Sequence, residues 1–458
     1  MHYIKNTKVN RFNDFVFWTK NTLFRQDAMK LYKQALLSEK LPTEELNKIN
    51  WEKRKKLIRF AYERIPFYKE YYDDNHFHPD MLKKEDDWKL VPILEKCYVR
   101  NRRGDLMDSK TRRSYFAEST TGGSTGTPMK VFWDKRFKIE ITGWRAFRWW
   151  NISPADNVGI IHRRVPKVAW AKFKNRAMWW PTKRVYLNAV SMTEEEIEQF
   201  VKQINDKKVV WLQGYVGALE RIADYIIKYE KKVTSLKLVW STSAPLLMNV
   251  RVKLEQAFRC KIMNQYGSNE ISNIAQQCPN SPHLHIQYDY VHVDVVDSDG
   301  NIMLDKEGDI LVTNLTSYVF PLIKYRLGDR GCRLSETCTC GCNLPLMKEV
   351  KGRISDSIYT PDGLYVDGNY LNSVFDNYFQ YFDQFQIYQK KDYNIVVYIK
   401  VKQPRANNID IVIEKIKCRL ENDVRHQILI SMEEVDYIKD DKGKIRYIIS
   451  ELTPYISN

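Results

Sequence analysis

Apolar positions along the chain change their spacing several times, and the changes mark out regions. Through residues 1 to about 110 they recur at helical intervals among polar residues. One helix start is marked by Leu41-Pro42-Thr43-Glu44-Glu45, where Thr43 is placed to cap and acids fill the first turn. From about 115 to 350 short apolar runs alternate with helical stretches. Residues 158–162 (VGIIH), 209–212 and 236–240 read as strands, and 193–204 and 217–229 as helices. That alternation predicts an α/β sheet domain with helical crossovers. Around 288–326 the period becomes two: residues 290–296 (YVHVDVV) alternate, Asp299-Gly300 forms a turn, and 309–313 (DILVT) come next as a strand. This predicts an antiparallel, barrel-like subdomain. Gly352, Pro361 and Gly363 punctuate a linker near 351–363. Beyond it strands at 386–388 and 393–401 and a helix at 409–422 predict a small α+β domain. The expected organisation is a large domain over 1–353, with a helical region 1–110 and a core 111–353, followed by a small domain over 354–458.

Composition supports that division. With 458 residues, 43% hydrophobic and 13% aromatic, the chain can bury cores for two or three domains. It contains no run of 18 apolar residues, and its first residues lack the apolar stretch of a signal peptide, so a soluble cytoplasmic protein is expected. The formal net charge of +16 is spread along the chain and reads as a Lys-rich surface. No nucleic-acid module and no basic tract interleaved with aromatics is present, which argues against a nucleic-acid partner. The densest basic patch, Arg100, Arg102, Arg103, Lys110, Arg112 and Arg113, offers a peripheral membrane surface or a polyanion one face; a solvated surface is the competing reading.

The most concentrated chemistry lies in Ser119-Thr120-Thr121-Gly122-Gly123-Ser124-Thr125-Gly126-Thr127-Pro128. Glycines let a backbone approach a phosphate, and hydroxyls with exposed N–H groups donate to its oxygens. No Gly-Lys-Ser/Thr closes the loop, so it is not a Walker motif. A second constellation is cysteine-rich. Three of the eight cysteines, Cys338, Cys340 and Cys342, fall within five residues, and Cys278 and His283 lie about 55 residues upstream. With no secretory signal, a disulfide framework is disfavoured. Cys278, His283, Cys338 and Cys340 would make a closed tetrahedral zinc site of the structural kind, with Cys342 and His285 as competing ligands.

Four further motifs come after the loop in order: Gln265-Tyr266-Gly267-Ser268-Asn269-Glu270, Tyr325-Arg326-Leu327-Gly328-Asp329, Gly352-Arg353-Ile354-Ser355-Asp356, and Lys442-Gly443-Lys444-Ile445-Arg446. In this order and spacing they resemble the adenylate-forming superfamily of acyl-CoA synthetases, peptide-synthetase adenylation domains and luciferases. The match is best to the phenylacetate–CoA ligase branch, which includes the CapK-type capsule-biosynthesis proteins. The resemblance spans about residues 115–450.

That resemblance implies a role for each motif. Thr121, Gly122, Gly123, Ser124, Thr125 and Gly126 would hold the phosphates of ATP. Tyr266 would face adenine, with Gly267 and Ser268 allowing close approach, and Ser243-Ala244-Pro245 would border the base. Asp329 would accept hydrogen bonds from the ribose hydroxyls, as a bidentate carboxylate can. Arg353 would contact the ribose–phosphate region, and Glu270 would hold Mg²⁺. Lys444, with Lys442 as the alternative, would neutralise charge as a carboxylate attacks the α-phosphorus. Two positions depart from the family: Thr127 stands where relatives carry Lys, and Ser355-Asp356 replaces two acids at the hinge of the small mobile domain. Some members of the branch carry a similar Cys/His cluster. The implied activity is ATP-dependent formation of an acyl-AMP, with release of pyrophosphate. The acyl group then passes to a thiol (CoA or a carrier protein) or to an amine, for instance in cell-surface polysaccharide biosynthesis. The two departures leave open an alternative, a non-catalytic nucleotide-binding protein that acts through interactions.

Overall fold

The computed structural model describes residues 11–120, 129–162, 165–166, 168–189, 192–243, 246, 248–350, 357–362, 365–367, 371, 374–375, 378, 381–438 and 448–452. These residues divide into two compact units. One comprises 1–118 with 132–351, the other 119–131 with 352–458.

The centre of the first unit is a five-stranded, all-parallel sheet in the order Arg184–Asn188, Val158–His162, Trp211–Tyr215, Leu238–Thr242 and Lys261–Met263. Both faces are covered, as a parallel sheet requires. On one face helices Glu194–Asp206, Val216–Lys228 and Met248–Phe258 bury Phe200, Ile204, Leu219, Ile222 and Leu254 against Val185, Leu212 and Val239. On the other, helix Glu140–Trp149 sets Ala146 and Phe147 against Trp211, Trp240 and Met263. Helix Glu194–Asp206 starts where the sequence predicts: the Thr193 hydroxyl accepts from the Glu196 amide at 3.2 Å, and Glu196 accepts from the Thr193 amide at 3.2 Å. The cap expected from Thr43 is not made. Helix Thr43–Arg64 begins at Thr43 itself, Pro42 holds the cap position, and no side chain caps it.

Two antiparallel sheets come next. One has the order Leu346–Met347, Leu284–Ile286, Ala275–Gln277 and Gln265–Tyr266; the other runs Val291–Val296, Gly308–Asn314 and Tyr325–Gly331. The N-terminal helices pack onto this unit. Arg145, fully buried in helix Glu140–Trp149, pairs with Asp289 at 2.9 Å and donates to the Ala35 carbonyl at 3.2 Å, while the Ser38 hydroxyl donates to Asp289 at 2.6 Å. A buried pair is costly unless every partner is present, so this network fixes how helix Gln26–Ser38 sits.

The second unit contains a mixed four-stranded sheet ordered Ile430–Glu434, Ile395–Val401, Phe382–Gln389 and Ile448–Ser450. Its core takes Val412, Ile416 and Leu420 from helix Ile409–Asp423. Within the predicted linker, Ser357–Tyr359 pairs antiparallel with Tyr365–Asp367 just beyond it, and Pro361 and Asp362 lie between the two strands.

Candidate functional site

In an open parallel sheet, loops at the carboxyl ends of the strands form the natural ligand crevice. Ser243 leaves strand Leu238–Thr242 with φ of +73°, a left-handed conformation that a residue with a side chain adopts only when its surroundings demand it. Beyond Lys261–Met263 the chain enters Gln265–Tyr266 and then the turn that carries Glu270.

That turn is built from its own sequence. The Ser268 hydroxyl accepts from the Glu270 amide at 3.2 Å and the Ile271 amide at 3.0 Å, and the Ser268 amide donates to the Ile271 carbonyl at 2.9 Å. A Cβ at Gly267 would stand 2.7 Å from the Asn273 amide nitrogen. Here the glycine is required by the chain's own return, and Ser268 shapes the turn. Both residues shape the turn that carries Glu270.

Glu270 is nearly buried, with its side chain 5% exposed, and its Oε1 lies 3.4 Å from the Lys96 ammonium and 3.4 Å from the Tyr325 hydroxyl. It lines a cavity of about 370 Å³ with Trp133, Thr142, Asn273, Asn314 and Ser317. Lys96 is a site residue that the sequence did not disclose. It arrives because Leu94 forms a parallel bridge to Tyr325, through hydrogen bonds of 3.1 Å to the Lys324 carbonyl and 3.0 Å from the Arg326 amide. Tyr266 and Asp329, from different sheets, also meet: the Tyr266 hydroxyl donates to Asp329 Oδ2 at 2.9 Å. Gly328, immediately before Asp329, takes a φ of +85° that favours glycine. Thr121, Gly122, Gly123, Ser124, Thr125, Gly126, Ala244, Pro245, Arg353 and Lys444 lie outside the described residues.

The tryptophans near the sheet serve packing. Trp144 contacts Phe17, Trp18 and Tyr32, and Trp150 donates to the Gln277 carbonyl at 2.7 Å.

The cysteine cluster assembles with one correction. Cys278, Cys338, Cys340 and His285 bring their ligand atoms within 4.8 Å of one another, and the imidazole is that of His285, not His283. His285 lies fully buried in strand Leu284–Ile286 and its Nδ1 is 3.1 Å from the Leu344 carbonyl, an arrangement that turns Nε2 to Cys340 at 3.4 Å. His283 instead sits 3.3 Å from Glu336. Cys278 and Cys338 are 3.6 Å apart, and every cysteine is a free thiol. The Cys340 thiol is drawn well below its ordinary value, first by a hydrogen bond with Cys342 and then by His285, whereas burial pushes Cys278 up. Three thiols and an oriented imidazole at this separation are a donor set that fits zinc.

No protein-family profile matches the chain. Among curated proteins it is similar to a phenylacetate–coenzyme A ligase of Thermus thermophilus, 23% identical over 70% of this chain and 73% of that protein. It is also similar to protein CapK of Staphylococcus aureus, 22% identical over 57% of this chain and 60% of that protein. Among solved structures, a 2-hydroxyisobutyryl-CoA ligase in complex with its acyl-AMP and CoA superposes with a TM-score of 0.63. The two are 16% identical, with 90% of this chain and 91% of that one covered. The same ligase in its postadenylation state gives 0.60.

Proposed function

We infer that this chain, an adenylate-forming ligase of the branch that holds the phenylacetate–CoA ligases and CapK, activates a carboxylic acid as its acyl-AMP and hands the acyl group to CoA. A carboxylate oxygen attacks the α-phosphorus of ATP and pyrophosphate leaves. The thiolate of the acceptor then attacks the acyl carbon, and AMP departs. The observation that best supports this reading is the meeting of Tyr266 with Asp329 and of Tyr325 with Glu270, which joins two motifs far apart in sequence. Asp329, held by the Tyr266 hydroxyl, would accept the ribose hydroxyls, and Tyr266 would border adenine with Ser243, Ala244 and Pro245. Thr121 to Gly126 would surround the phosphates, with Arg353 near the ribose–phosphate. Glu270 Oε1 faces Lys96 and Tyr325, so Oε2 is the oxygen that would hold Mg²⁺, whose role when bound is to neutralise the triphosphate. Orientation and charge screening suffice for this chemistry, and no nucleophilic side chain is needed.

The test is exchange of labelled pyrophosphate into ATP across a panel of aryl, aliphatic and hydroxy acids, followed by thioester formation with CoA. Exchange that depends on one class of acid is expected. Nucleotide binding with no exchange for any acid would sink the reading and leave a nucleotide-binding interaction protein. The kinship with CapK motivates a second panel of acceptors, sugar amines and carrier thiols, for a role in cell-surface polysaccharide synthesis.

The cysteine cluster is proposed as a structural zinc site distinct from this chemistry. Purified protein should carry about one zinc per chain. His285→Ala should lose it and His283→Ala keep it, read by elemental analysis; the reverse pattern would restore His283 as ligand.

A further inference from the structure

Helix Ala169–Trp179 connects two neighbouring strands of the parallel sheet but does not pack as its counterparts do. Helix Glu194–Asp206 buries Ile197, Phe200, Val201 and Ile204, and Val216–Lys228 buries still more, whereas no residue of Ala169–Trp179 is buried. At about 100° per residue, Ala171, Asn175 and Trp179 form one stripe, and these are its half-buried positions. Asn175 accepts from the Tyr186 hydroxyl at 2.8 Å, and the Arg184 guanidinium lies 3.8 Å from the Trp179 ring centre. The opposite stripe carries Trp170 and Phe173, 71% and 62% exposed, with rings stacked at 5.8 Å. Exposed Lys172 and Arg176 flank them on one side and Lys174 on the other. Trp180 extends the apolar surface to Phe12, whose ring meets it edge-on at 5.8 Å, and Phe15 is exposed on the same N-terminal helix.

Charge is concentrated here as well. Residues 157–193 contain eight Lys and Arg and no Asp or Glu, so this stretch supplies half of the formal +16 of the chain. Exposed aromatics set between cations, on a helix with no acid, match the interface of an anionic bilayer. There the rings sit at headgroup level and the cations meet phosphates. Among the described residues no helix is long and apolar enough to cross a membrane, so the helix would lie on the surface. A second copy docked through the same face would bring these cations against their equals.

We propose that helix Ala169–Trp179 is an interfacial anchor that seats Trp170 and Phe173 in an anionic phospholipid surface, with Lys172, Lys174 and Arg176 on the headgroups. The inference does not depend on which acid is activated. The full chain is floated with vesicles of phosphatidylcholine, alone or mixed with phosphatidylglycerol. Flotation with the mixed vesicles only is expected. Trp170→Ala with Phe173→Ala, and separately Lys172→Glu with Lys174→Glu and Arg176→Glu, should each lower the bound fraction at least about tenfold. Circular dichroism and nucleotide binding should match the parent, since none of these side chains is buried. No flotation with mixed vesicles overturns the proposal. So does binding that ignores the aromatic pair, which would reduce the effect to overall charge. A dimer in solution that Trp170→Ala splits, without vesicle binding, would make the face a contact between copies instead.

Discussion

Lys444→Ala is expected to lower acid-dependent ATP–pyrophosphate exchange by about 10²–10³-fold, the usual cost of removing a group aimed at charge that develops only in the transition state. Attack of a carboxylate on the α-phosphorus brings two anions together, and a single ammonium between them favours the attack more than the separated reactants. Thioester formation from supplied acyl-AMP should stay within about threefold, because the attack on the α-phosphorus that Lys444 would assist is already complete in that substrate. The assignment rests on Lys442-Gly443-Lys444-Ile445-Arg446, which lies outside the described residues. Strand Ile448–Ser450 begins four residues after Lys444 and pairs in parallel with Phe382–Gln389, where Ile387 faces Ile448. Lys442→Ala is the control. If it takes the loss and Lys444→Ala does not, the role moves to Lys442; if neither variant slows exchange, the charge-neutralising role fails for both.

Where local sequence decides local structure, the chain was legible. Strand Val158–His162 matches its predicted limits, because a short apolar run in a covered parallel sheet needs no partner information. Residues 193–204 were read as helical, and Thr193 and Glu196 form a capping box at the start of that helix. Thr43 has the same chemistry but not the same outcome, since the helix already includes it and a cap residue must lie outside. The choice between His283 and His285 was not legible. His283 lies just before strand Leu284–Ile286 and pairs with Glu336, whereas His285 is buried within the strand beside the Leu344 carbonyl, about 60 residues away. Lys96 was illegible for a related reason: it carries no motif and reaches Glu270 through the bridge of Leu94 to Tyr325. The part that Gly267 takes in the turn was not legible either, because it depends on the return of Asn273. The contacts of Tyr266 with Asp329 and of Glu270 with Lys96 join residues far apart in sequence, which no local pattern discloses.

Glu270→Gln separates two roles that the geometry offers the same carboxylate. If Glu270 serves only to neutralise the neighbouring Lys96, the variant should lose stability, and Lys96→Met should restore it in the double variant. The rate at saturating Mg²⁺ would then change little. If it holds Mg²⁺, exchange should fall by about 10²-fold, and the Mg²⁺ concentration for half-maximal rate should rise, because an amide oxygen is a weaker ligand for a hard cation than a carboxylate. The second outcome is expected. Both observed contacts use Oε1, and the residue lines the cavity of about 370 Å³. Lys96→Met alone should then have the opposite sign on metal: removing an ammonium 3.4 Å from the ligand lowers the Mg²⁺ requirement. An unchanged Mg²⁺ profile in Glu270→Gln, together with full rescue by Lys96→Met, would remove Glu270 from metal binding and leave it as the buried partner of a lysine.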